Sequence, residues 1–104
     1  MELNRTQVDM LQDFADDYDY DLREDYSGRC LYGRSCIGFV TDDSGFTVAM
    51  NLCSYLNDMD PDNEDPDVSD ILNAFQRTSA SEDSMGLSRI IYFPSVSVKE
   101  REDA

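Results

Sequence analysis

No histidine and no tryptophan occur in this sequence, and Lys99 is its one lysine. Without histidine, the Ser-His and Cys-His arrangements of nucleophilic catalysis are excluded. Cysteine is scarce: Cys30, Cys36 and Cys53. They have neither C-x-x-C spacing nor a histidine to complete a zinc site. An odd count argues against a closed disulfide framework. Cys30 and Cys36 can face each other across a hairpin, but a reducing compartment works against their pairing. No apolar run approaches the ~18 residues a membrane span needs. The start, MELNRTQVDM, lacks the cationic-then-apolar order of a signal peptide, so the expected location is the cytoplasm. The few glycines form neither a P-loop nor a G-x-G-x-x-G turn.

What the chain has in abundance is acid. Seventeen Asp and six Glu stand against seven Arg and one Lys, a formal net charge of -15 over 104 residues. A phosphate backbone would be repelled, so direct nucleic-acid binding is not expected. Charge this far from zero costs the folded state self-repulsion, which is tolerated for solubility or for a cationic partner. Adaptation to high salt, or a genome that favours arginine codons, would produce a similar balance.

Residues 4–18, NRTQVDMLQDFADDY, have helical period, with Val8, Leu11, Phe14 or Ala15, and Tyr18 on one stripe. Asn4 or Thr6 can cap the start. The other face carries Asp9, Asp13, Asp16 and Asp17. Acids at a helix C-terminus oppose the macrodipole, so Asp16 and Asp17 cost stability. Alternation of Tyr18, Tyr20 and Leu22 with Asp19, Asp21 and Arg23 reads as a strand over 19–25 with an acidic outer face. SCIGFVTD reads as a central strand, paired with the first across a long glycine-shaped loop. SGFTVAMNLCSYLND fits a helix from Ser44 that buries Phe46, Ala49, Met50, Cys53 and Leu56, although FTVAM alone would also suit a strand. DMDPDNEDPDVSD is a loop, after which Asp67 can cap a short helix VSDILNAFQR burying Ile71, Leu72 and Phe75. TSASEDSMG is polar and is expected to be mobile, and LSRIIYFPSVSV is the last strand, with Pro94 placing its second half at an edge or bulge. The expectation is one α+β domain over residues 1–98, with a solvated tail at 99–104. Its sheet would be three-stranded, mainly antiparallel, and covered by two or three helices.

No catalytic residue, metal or cofactor is expected. Asp58, Asp60 and Asp62 have the spacing of a calcium loop, but Ser69 stands at the twelfth position, where a bidentate glutamate is required. A paired-carboxylate hydrolase needs two acids in unlike environments, and nearly every acid here lies in a polar run. Regularly spaced carboxylates can instead imitate a phosphate backbone. Asp9, Asp13 and Asp17 recur at i, i+4, i+8, roughly 6 Å apart along a helix. Asp19 and Asp21 would follow on the next strand, about 6.5 Å apart. Residues 58–70 add seven acids and no base, among them Asp58, Asp60, Asp62, Glu64 and Asp65.

This balance, with the stretches DFADDYDYDLREDY and DMDPDNEDPDVSD, resembles the small acidic phage-encoded anti-defence proteins, the anti-CRISPR and anti-restriction DNA mimics. The resemblance implies an inhibitor that occupies the cationic channel of a nuclease or CRISPR effector in a host bacterium. It implies no enzyme activity and no membrane contact. The composition leaves a homodimer open.

One cationic stretch stands out, YSGRCLYGRSCIGF at 26–39. Arg29 and Arg34 can brace the loop against Glu24, Asp25, Asp42 and Asp43. With Tyr32 they can instead anchor a partner, or they can hold a small anion. The alternative function is therefore a protein-interaction adaptor that uses the 26–36 hairpin loop, with the acids serving only solubility.

Overall fold

The structure, a computed structural model, describes residues 2–27, 30, 35–77 and 80–98. In chain order the elements are β1 (Glu2–Leu3), α1 (Arg5–Asp17), β2 (Asp21–Tyr26), β3 (Cys36–Thr41), α2 (Gly45–Met59), α3 (Pro66–Arg77), β4 (Ser81–Met85), β5 (Ser88–Phe93) and β6 (Ser97–Val98). The fold is α+β. An antiparallel sheet in the order β2-β3-β5-β4 is joined by a small parallel pair, β1 with β6.

The β-branched and aromatic run Cys36–Thr41 lies in the sheet interior, paired with β2 on one side and β5 on the other. Its alternation divides the two faces of the sheet. Ile37 and Phe39, with Ile91 and Phe93 of β5, pack towards the helices and share a core with Val8, Leu11, Phe14, Val48, Leu52, Leu56, Val68 and Ile71. Burying each such side chain contributes about 1.5–3 kcal/mol. The opposite face is smaller: Cys36, Ile90 and Tyr92, covered by Tyr26, Cys30 and Val40. Tyr26 closes it by donating to Asp83 Oδ2 at 2.6 Å and packing its ring at a tilt against Tyr92, with centroids 4.9 Å apart.

The helices form where their caps and apolar rows predict, with shifts that have local causes. Asn4 caps α1 in a capping box with Gln7. Gln7 is buried, and its side chain is satisfied twice, accepting from Asn4 N–H and donating to the carbonyl of Asp67. Asp65, not Asp67, caps α3: its carboxylate accepts from Asp67 N–H at 3.0 Å, which places Pro66 in the first turn. The Asp67 carboxylate instead accepts from Asn4 Nδ2 at 3.1 Å, joining the starts of α1 and α3.

Four further differences from the sequence reading stand out. The sheet has four strands, because SEDSM forms β4, folded back on β5 through a turn whose Gly86 has φ 66. α2 is a helix, but its inward row is Gly45, Val48, Leu52 and Leu56, so Phe46 and Met50 point outward. After β5 the chain turns at 94–95, and Ser97–Val98 pairs with β1 rather than extending the large sheet. Cys30 and Cys36 form a disulfide, with Cα atoms 5.7 Å apart. The pairing of Tyr26 with Cys36 brings the two ends of the loop together and makes that bond reachable.

Candidate partner-binding surface

Each described arginine side chain, that of Arg5, Arg23 and Arg89, is tied to a carboxylate. Arg5 bonds Glu24 at 2.7 Å and approaches Asp9 at 3.9 Å; Arg23 bonds Asp21 at 2.8 Å; Arg89 reaches Glu82 at 3.4 Å. These are surface pairs and add little stability. They do decide which acids are compensated locally. Glu24, one of the acids expected to brace the cationic loop, is taken by Arg5, and Asp43 is taken by Tyr20. Arg29, Tyr32 and Arg34 lie outside the described residues.

The remaining candidate acids fall into two groups. Some hold the backbone. Asp60 accepts from Glu64 N–H at 3.1 Å and from Asp65 N–H at 2.9 Å, tying the turn between α2 and α3. Asp65 caps α3, whereas Asp16 accepts from the side chain of Gln12 at 3.0 Å. Others hold nothing. Among the described residues, no hydrogen bond or ion pair engages the carboxylates of Asp13, Asp17, Asp19, Asp58, Asp62 or Glu64, and all six residues are exposed.

The unengaged acids follow the helical layer. Asp13 and Asp17 stand one turn apart on α1, beside Tyr55 of α2. Burial first, then the two carboxylates, holds the Tyr55 phenol above its ordinary range. Asp58 lies one turn further along α2 on the same side as Tyr55. The chain then enters the turn that carries Asp62 and Glu64. An acidic band therefore crosses from α1 over Tyr55 to the end of α2. Beneath it sits an aromatic cluster: Phe14 lies 4.9 Å from Tyr18 and 5.6 Å from both Tyr55 and Tyr20, ring to ring.

Asp19 and Asp21 do not extend this row as a strand. α1 ends with Asp19 in the left-handed region, φ 61, and β2 begins only at Asp21. Asp21 is paired with Val40, so its side chain shares the sheet face away from the helices, where Arg23 holds it. Sequence reasoning missed Phe46 and Met50 as surface residues. A helical row drawn through Val48, Leu52 and Leu56 would have found them.

No protein-family model, curated protein or solved structure matches this chain.

Proposed function

We propose that this protein is a non-enzymatic inhibitor that binds a basic, nucleic-acid-handling bacterial protein, a nuclease or CRISPR effector, in the host cytoplasm. Its acidic helical band takes the place of a phosphate backbone in the partner's cationic channel. One observation carries the reading: Asp16, Asp17 and Asp19 crowd the C-terminal end of α1, with no basic residue in its last turn. Asp16 and Asp17 oppose the helix dipole there. Asp19 occupies a left-handed position that glycine fills at no steric cost. Acids kept where they oppose the helix dipole or take a position suited to glycine are accounted for by a cationic partner. Asp13, Asp17, Asp58 and Asp62 support the same reading, because the fold makes no use of their carboxylates.

The test is capture of bacterial proteins by the immobilised chain at low and high ionic strength, followed by a cleavage assay on each captured nuclease. Capture should weaken with salt, and inhibition should be competitive with DNA. A variant carrying D13N, D17N, D58N and D62N should fold and lose both. If that variant captures and inhibits as the parent does, the reading is wrong and the acids serve solubility.

A further inference from the structure

α2 presents an apolar row that the fold does not use. Phe46 is 76% exposed and Met50 is 54% exposed, one helical turn apart, while Val48, Leu52 and Leu56 occupy the inward side. Half-buried Cys53 continues the row. The row begins beside acid. At its start, Glu82 accepts from Gly45 N–H at 3.0 Å and shares a recess with Asp42 and the fully exposed Leu87. Arg89 compensates Glu82 in part, whereas among the described residues Asp42 has no ion pair. From Phe46 to Cys53 the row runs about 11 Å, two turns of helix.

Exposed phenylalanine and methionine gain the folded chain nothing and invite association. A flexible thioether adapts to varied apolar partners. A second copy is a poor occupant, because it would bring a net charge of -15 against a net charge of -15. A basic helix is a good one, because its cations would meet the Asp42 and Glu82 carboxylates at the start of the row. We infer that the Phe46–Met50 row of α2 is a docking surface for a basic amphipathic helix of a partner protein. Its apolar side lies on Phe46 and Met50, and its lysines or arginines lie towards Asp42 and Glu82 at the start of the row. The inference stands whether or not the partner handles nucleic acid.

The probe is a synthetic 18-residue peptide with leucine along one helical face and lysine elsewhere, beside a scrambled peptide of the same composition. Amide chemical shifts of the labelled protein are followed during titration. The amphipathic peptide should move the amides of residues 45–58 and bind at least tenfold more tightly than the scrambled one. F46S/M50S should weaken it about tenfold while keeping the dispersed spectrum of the parent. Equal binding of both peptides overturns the inference, because charge alone would then suffice. Shifts confined to α1 overturn it while leaving the acidic-band reading intact. Self-association of the parent that F46S/M50S abolishes also overturns it, making a second copy the occupant. Absence of binding does the same.

Discussion

The backbone N–H of Tyr20 donates to the carbonyl of Ala15 at 2.8 Å, and this bond closes α1 around an aspartate, Asp19, in the left-handed region. With the weaker contact from Asp19 N–H to Asp16, it makes the two-bond helix ending that glycine usually completes. D19G should therefore stabilise the protein by about 0.5–1 kcal/mol, since the new residue has no Cβ to strain. D17N should add about 0.3–1 kcal/mol by removing a charge that opposes the helix dipole. Urea denaturation of both variants measures this. A loss of stability in either would remove the argument that these acids are kept for something other than folding.

The hydroxyl of Tyr20 carries a pH prediction. It donates to Asp43 Oδ2 at 2.6 Å and accepts from Asn51 Nδ2 at 2.9 Å. Burial, then the bond to Asp43, pushes the phenol pKa up to about 12 from the ordinary 10.0. The folded state thus holds its proton more tightly than the unfolded chain does. Between pH 10 and 12 the unfolded state has lost this proton while the folded state keeps it, so stability falls as pH rises through that window. The loss should reach about 2 kcal/mol, and Y20F should flatten the profile there. At neutral pH, Y20F itself should cost about 1–2 kcal/mol, because Asp43 and Asn51 each lose a partner. Thermal melts of parent and variant from pH 8 to 12 decide both points.

Much of this architecture was readable in advance, for reasons that differ by element. Val8, Leu11, Phe14 and Ala15 recur with helical period and are buried as that period requires. The apolar, β-branched β3 and β5 are buried on both faces, and their composition already says so. β4 was not readable. SEDSM has no apolar alternation, because its strand lies at a sheet edge and takes its order from pairing with β5. The phase of α2 was misread because the sequence offers two apolar rows, one through Phe46 and Met50 and one through Val48 and Leu52. Only packing against the sheet chooses between them. The acids of the helical band were legible by count and spacing. Sequence could not separate Asp60 and Asp65, which hold backbone amides, from Asp58 and Asp62, which bond to nothing among the described residues.

Gly38 marks a close approach between strands. A methyl group there would stand 2.9 Å from Ile90 Cδ1, 3.0 Å from Ile90 Cγ1 and 3.1 Å from Tyr92 Cβ. The isoleucine tip can rotate away, but the tyrosine Cβ cannot. G38A should cost about 1–3 kcal/mol, as overpacked cores do. Adding I90V, which deletes the nearest atom, should recover part of that cost. The two variants and their double mutant, unfolded in urea, give the coupling directly. Purely additive effects would mean that the strands separate instead of clashing locally.

Asp60 and Asp62 are two residues apart and should behave as opposites. The Asp60 carboxylate satisfies the N–H groups of Glu64 and Asp65, which otherwise have no partner in the turn before α3. D60A should cost about 1–2 kcal/mol through two amides left to incomplete solvation, and D60N should recover some of it by restoring one acceptor. Asp62 is exposed and bonds to nothing among the described residues, so D62N should change stability by less than about 0.5 kcal/mol, towards stabilisation as self-repulsion falls. Partner capture should rank them the other way. At equal folded fraction, D62N should reduce capture at low ionic strength and D60N should reduce it no more than D62N does. If D62N leaves capture untouched in a chain that still binds, the turn lies outside the contact, and the acidic surface that matters is confined to α1 and the end of α2.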